Sequence, residues 1–234
     1  MATRSDYEPG TIFQRQLDIF DPEKFNVPVH VIGVGATGSF DVLALAKLGF
    51  KEIHAWDDDT VEINNTAGQL YGIDDNHRFK VAALEEIVER LADIKIIQHA
   101  EKWDGQPLNG IVIMGADSID TRRQIFEAVR FKFSVPLVID HRIGGYNAQI
   151  FMFEPKDPEA CEEFEATLFI KENASQLPCT FRSVIDINWF VASMAVRGIR
   201  SFLTGEPISF ELHYDSKTGA FTKRDIKGAY KTLV

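Results

Sequence analysis

The stretch VPVHVIGVGATG, residues 27–38, constrains this chain more than any other. Val27–Val34 is almost continuously apolar, the pattern of a strand buried on both faces of a parallel sheet. GVGATG then fits GxGxxG, and Ala36–Leu48 follows with Leu43, Ala44, Ala46 and Leu48 apolar, as in a helix. A strand, a glycine turn and a helix in that order bring free N–H groups and the positive end of the helix dipole to the strand's carboxyl end, where an anion can sit. Gly33 permits the tight turn, Gly35 lets the backbone approach a phosphate, and Gly38 lets the helix pack closely on the strand. Alone, the motif does not choose between a dinucleotide and ATP.

The same alternation continues. Glu52–Trp56 reads as a second strand, Asp93–Gln98 as a third, Gly110–Gly115 as a fourth and Val135–Asp140 as a fifth. Phe79–Leu91 carries Val81, Leu84, Ile87, Val88 and Leu91 at helical spacing, and Ile119–Phe133 reads as another helix. The expected fold is an α/β, Rossmann-like, doubly wound and mostly parallel sheet. The second half changes character. Tyr146–Pro155 is strand-like, and Ile208–Ile226 reads as two alternating strands joined by a turn ending in Gly219, which adds antiparallel strands at the C-terminal side. Between them, an acidic crossover segment at about 156–178 precedes a long helix over Thr180–Leu203. With no repeat or linker in view, residues 1–234 are expected to form a single domain.

Composition narrows the classes. A net charge of −10 argues against bulk binding to nucleic acid or to an anionic membrane. No apolar run approaches the roughly 20 residues of a membrane span, and MATRSDYEPGTIF lacks the apolar core of a signal peptide, so a cytoplasmic location is expected. Cys161 and Cys179 form no CxxC pair, which removes a four-cysteine zinc site. Cys161 lies in acidic surroundings that disfavour its thiolate and is given no role. None of the six histidines has ligand spacing with another along the chain, so all are expected to be structural.

Asp57 lies 19 residues after Gly38 at the end of the second strand, where an acid takes the two hydroxyls of a ribose. Asp58 is a spare charge, and Asp59 is either a turn cap or part of the site. A plain dinucleotide site requires neither the polar stretch with Asn65, Gln69 and Lys80 that leads into the next helix, nor Asp117 after the fourth strand in IVIMGAD. Strand ends on the carboxyl edge of a parallel sheet face the ligand crevice. A carboxylate there can hold Mg²⁺ near a triphosphate, and Lys80 can supply positive charge to the phosphates.

Together, Gly33–Gly38, Asp57-x-Asp59-Thr-Val, Asn65, Gln69, Lys80 and Asp117 resemble the ubiquitin-activating-enzyme-like adenylyltransferases of the ThiF/MoeB type. FQRQLDIF near the N-terminus, TRRQIFEAV after Asp117 and LHYDSKTGAFTKRDI near the C-terminus extend the likeness over nearly the whole chain. The resemblance implies ATP- and Mg²⁺-dependent adenylation of a carboxylate, first of all the C-terminus of a ubiquitin-like β-grasp protein or of a peptide, with release of pyrophosphate. It implies Mg²⁺ on Asp117, Lys80 on the phosphates, Asp57 on the ribose, and Asp59, Asn65 and Gln69 around the same nucleotide. It also implies a homodimer in which Arg15 reaches the phosphates of the other subunit. Cys179, in LPCTFRS, resembles the cysteine to which some members pass the acyl group.

The chain departs from the family in three ways. Gly68 stands where an arginine normally precedes Gln69, leaving Arg122 and Arg78 as candidates to replace that cation. The paired CxxC zinc motifs are absent, so no zinc is expected. Ala36 and Thr37 replace the commoner glycine and aliphatic residue of the loop. Two other functions stay open at this point: a nicotinamide-dependent oxidoreductase, which leaves Lys80, Asp117 and Arg15 unexplained, and a non-catalytic nucleotide-binding scaffold, which Gly68 favours.

Overall fold

The computed structural model describes residues 11–168, 184–228 and 231–232. Five strands, β1 (Val29–Ile32), β2 (Ile53–Trp56), β3 (Ile97–His99), β4 (Ile111–Met114) and β5 (Val138–Gly144), run parallel. Four more, β6 (Asn147–Phe153), β7 (Glu211–Asp215), β8 (Ala220–Arg224) and β9 (Lys231–Thr232), continue the sheet antiparallel. The order is β3-β2-β1-β4-β5-β6-β7-β8-β9, so the topology switches between β1 and β4, and the crevice opens there at the carboxyl ends.

Alternation along the strands divides the core. Val29, Val31, Ile53, Ala55, Ile111, Ile113, Ile139 and Ile150 face one side, against α1 (Gly38–Leu48), α2 (Lys80–Ala92) and α5 (Ile185–Leu203). Ile32, Trp56, Val112, Met114, Val138 and Phe151 face the other, against α3 (Ile119–Val129) and α4 (Pro158–Thr167). Most elements lie within a few residues of their expected bounds, and β9 is additional. The start of the expected crossover differs: PEACEEFEAT is a helix. Asp157 caps it by accepting the N–H of Glu159, proline occupies its first turn, and Ala160, Cys161 and Phe164 form its buried face. The Cys161 thiol is sealed in this core, and burial raises its pKa.

No helix connects β3 to β4, so the second face of the sheet near its β3 edge is covered by side chains instead. Trp56, Trp103 and three histidines take that place. The His30 ring stacks on His54 at 4.3 Å, and the His99 ring stacks on Trp56 at 3.5 Å. The sequence offers no ligand spacing among these histidines, yet register on adjacent strands brings them together. Trp56 Nε1 donates to His30 Nδ1 (3.3 Å), which fixes the His30 proton on Nε2, facing Asn109 Oδ1 (3.3 Å). Burial, reinforced by His54, lowers the His30 pKa to about 4 against the Asn109 contact. The folded protein therefore holds His30 neutral where the unfolded chain would protonate it. Its contribution is complete above pH 6.5 and is lost as pH falls toward 4, by roughly 3 kcal/mol at most. Urea unfolding at pH 7 and pH 4.5 should show that loss in the wild type and a smaller one in His30→Gln. Equal losses in both would remove His30 as the source.

Candidate active site

The glycine turn is built by backbone contact. Gly33 has φ +91°, and a Cβ there would lie 2.7 Å from the carbonyl carbon of Gly115. A Cβ on Gly38 would lie 2.0 Å from the Gly33 oxygen. The loops after β1 and β4 thus touch at Gly115 and Ala116, the residues just before Asp117. Among the described residues, the N–H groups of Gly35, Ala36, Thr37 and Gly38 have no acceptor. These are the free donors of a helix N-terminus, set at a strand end.

Val34 is held from two sides. Its N–H donates to Asp57 Oδ2 (2.9 Å), and its carbonyl accepts from the Tyr71 hydroxyl (2.6 Å). Burial, with the carboxylates of Asp57 and Asp75, pushes the Tyr71 pKa well above its ordinary value, so the phenol stays a donor. Asp57 Oδ1 accepts the N–H of Asp59 (3.0 Å) and lies 3.5 Å from Lys80 Nζ. Burial raises the Asp57 pKa, while Lys80 and the two N–H donors oppose that. Lys80 opens α2 and is buried, with its Nζ donating to Asp59 Oδ2 at 2.6 Å. The contact follows from pairing of the flanking segments: Lys80 N–H donates to Asp59 O, and Thr60 bridges Phe79. Asp57, Asp58 and Asp59 bring carboxylate oxygens within 4.8 Å of one another, and Lys80 is the cation among them. Asp117 is exposed.

Other expected residues are placed differently. Asn65 closes its own turn, accepting the Glu62 N–H (3.2 Å) and donating to Asn64 (3.0 Å). Gln69 precedes two residues docked on the glycine turn and α1: Leu70 donates to Ser39 Oγ (3.2 Å), and Tyr71 reaches Val34. Its buried Oε1 has no donor among the described residues. Arg15 is exposed, and neighbouring Gln16 donates to Leu48 O (2.8 Å) at the end of α1 remote from the glycine turn. That end is about 15 Å of helix away, so Arg15 is not brought to this chain's own loop. Cys179 lies outside the described residues.

Both candidate substitutes for the missing arginine already have carboxylate partners in this structure. Arg78 pairs with Asp75 (3.0 Å) and Glu86. Arg122 is buried, donates to Met114 O (3.2 Å) and His141 O (3.1 Å), and pairs with Asp140. Burial, with Arg142 nearby, lowers its pKa to about 9. At Gly68 itself there is room: an added Cβ would meet Asn188 Nδ2 at an ordinary 3.7 Å.

Sequence reasoning missed a buried chain beneath the loop. Thr37 Oγ1 lies 2.9 Å from His141 Nδ1, and His141 Nε2 lies 2.6 Å from Asp41 Oδ2. The carboxylate accepts from Nε2–H, which leaves Nδ1 to accept from the Thr37 hydroxyl. Thr37 therefore makes no side-chain cap on α1. The departure of Thr37 from an aliphatic residue was the one signal in the sequence. All three groups are sealed from solvent, so they brace the loop and do not serve as a nucleophile and its base.

Among the described residues, no helix is long and apolar enough to cross a membrane. The catalytic subunit of a NEDD8-activating E1 enzyme from Arabidopsis thaliana is 29% identical over 106 residues, which span 42% of this chain and 23% of that protein. The chain thus spans about a quarter of the length of that relative. MccB of E. coli solved with MccA superimposes with a TM-score of 0.75 at 17% identity, over 94% of this chain and 72% of that one. MccB solved with ATP superimposes with a TM-score of 0.68 at 19% identity, over 88% and 65%. These likenesses to solved structures concern the fold. The model of the ThiF family matches residues 14–232, nearly the whole length, and the chain belongs to that family.

Proposed function

We propose that this protein uses ATP to adenylate a carboxylate, the C-terminus of a ubiquitin-like protein or of a peptide, with release of pyrophosphate. The observation that carries this reading is the convergence at one strand edge of four free N–H groups, Asp57 and Lys80, in a chain of the ThiF family. The family favours this chemistry over nicotinamide oxidation. The E1 relative and the MccB structures named with ATP and with MccA support the substrate class.

Two anions must meet: a carboxylate oxygen attacks the α-phosphorus, the bond to the bridging oxygen breaks, and pyrophosphate leaves. The protein's task is to position them and to neutralise charge. The N–H groups of the glycine turn hold phosphate oxygens, Asp57 takes the ribose hydroxyls, and Lys80 moves to the phosphates. Gln69 and Asn65 shape the wall of the same site. Asp117, an exposed hard-oxygen donor beside the turn, suits Mg²⁺, which supplies further positive charge when bound. Arg15 acts on the site of a second copy in a homodimer, and Cys179 accepts the acyl group.

ATP–pyrophosphate exchange with candidate carboxylate-terminated proteins and peptides tests the reading. Exchange that depends on such a substrate supports it, and retention of NAD without ATP binding removes it. Gly68 and the engaged state of Arg78 and Arg122 favour a second reading, a nucleotide-binding scaffold without turnover. ATP binding without exchange would select that one.

Asp59 enters the site through Lys80. Its carboxylate is largely exposed, at 69%, so its hold on the lysine is a weak surface pair on one side. Asp59→Asn should release Lys80 and tighten ATP binding by up to about fivefold, from a pair energy of roughly 0.2–1 kcal/mol. Titration calorimetry reads the change, and weaker binding would put Asp59 on the nucleotide.

A further inference from the structure

We propose that His54 and His99 form a binding site for a first-row transition-metal dication of the Zn²⁺ class, clamping edge strand β3 to β2. The site is separate from the four-cysteine zinc that the sequence lacks, and it does not rest on the adenylation reading. His54 Nδ1 and His99 Nε2 face each other at 3.1 Å across the two parallel strands. Two nitrogens bound to one tetrahedral Zn²⁺ at about 2.0–2.1 Å lie roughly 3.3 Å apart, so the spacing of the hydrogen-bonded pair is already close to that of a chelate.

The surroundings are those of a ligand pair. The remote nitrogen of His54, Nε2, lies 3.3 Å from Glu52 Oε1, the arrangement in which a carboxylate fixes the tautomer of a metal-bound imidazole. With the proton on Nε2, Nδ1 presents its lone pair. His99 is oriented by its stack on Trp56, with 3° between the ring planes. On metal binding, the Nε2 proton now shared with His54 passes to solvent and solvent returns one to Nδ1, so His99 changes tautomer with no net change in charge. His30 is used up by Trp56 and Asn109 and stays behind the pair. The His54 side chain is 17% exposed, and His99 is half-buried, so an ion has access and water can complete its shell. Imidazole donors select Zn²⁺, Cu²⁺ or Ni²⁺ over Mg²⁺.

The site bears on the nucleotide crevice because Asp57 N–H donates to His99 O at 3.1 Å. Stiffening β3 stiffens the residue next to the glycine turn.

The test is calorimetric titration of ZnCl₂, and separately of MgCl₂, into the full chain freed of metal by a chelator. The expected result is one equivalent of Zn²⁺ bound in the micromolar range, competition by Mg²⁺ too weak to detect, and a rise in melting temperature with Zn²⁺. His54→Gln and His99→Gln should each abolish that binding, and Glu52→Gln, an exposed change that leaves both imidazoles in place, should weaken it roughly tenfold or more. Thermal melts without metal check that the variants fold. Absence of Zn²⁺ binding, or binding that survives both histidine changes, or an undiminished affinity in Glu52→Gln, overturns the proposal.

Discussion

Lys80→Ala is expected to lower ATP–pyrophosphate exchange by roughly 10²–10³, the usual cost of removing one preorganised donor from developing charge. The expectation rests on an imbalance at the site. Three carboxylates crowd the end of β2, and Lys80 is the cation that touches two of them. Gly68 removes the arginine that relatives of this type place nearby, while Arg78 and Arg122 are committed to Asp75, Glu86 and Asp140. Removing Lys80 thus withdraws positive charge from the phosphates and also leaves Asp57 and Asp59 to repel them. Lys80→Arg should recover part of the activity, since it restores charge without the compact ammonium. The fold should survive Lys80→Ala, because Asp57 keeps the N–H donors of Val34 and Asp59. Exchange assays with a melting curve settle it, and activity within a few fold of the wild type would sink the role of Lys80. Gly68→Arg, placed where there is room for a side chain, would then become the informative variant.

What could be read from the sequence was whatever depends on short range. The apolar run of β1, the glycine turn and Asp57 lie within about 30 residues of each other, and local periodicity places them. Strand ends were also legible because the carboxyl edge of a parallel sheet is common ground for Asp57 and Asp117. Long-range pairings were not legible. Thr37 and Asp41 meet His141 across about 100 residues of chain, and no local pattern marks that contact. The histidine pair depends on a register in which Trp56, not His54, lies directly beside His99, and a one-residue slip would turn one ring to the opposite face. Arg122 looked like a free cation because its position on α3 says nothing of the β4 and β5 carbonyls that consume it. Helix α4 was hidden by its acidic composition, although Asp157-Pro158 is a cap followed by a first-turn proline.

Asp140→Asn is expected to destabilise the fold by about 3–5 kcal/mol, which is the cost of leaving buried charge without its partner. Asp140 is fully buried and receives two guanidiniums: Arg122 on Oδ1, and Arg142 on Oδ2 at 2.7 Å. Two positive charges thus share one contacting carboxylate, with Asp117 acting on Arg122 and the buried Glu211 on Arg142 from further away. Burial lowers the pKa of both arginines, to about 9 and about 10, and the exposed Asp117 supplies some relief to Arg122. The cations are retained because of what else they hold. Arg122 ties the end of β4 to the middle of β5 through Met114 O and His141 O, and Arg142 reaches Thr167 O (3.2 Å) and Thr167 Oγ1 (2.9 Å) at the end of α4. The cluster thus joins three elements at the edge where the ligand crevice opens. An amide at position 140 keeps the shape but removes the carboxylate that contacts both guanidiniums. Arg122→Met alone leaves a balanced pair and should cost less. In the Asp140→Asn background it should cost less still, because it removes a cation that has lost its partner, and the coupling should exceed about 1 kcal/mol. Denaturant unfolding of the four proteins measures the cycle. A cost below about 1 kcal/mol for Asp140→Asn, or additive effects of the two changes, would mean that solvent already screens this cluster.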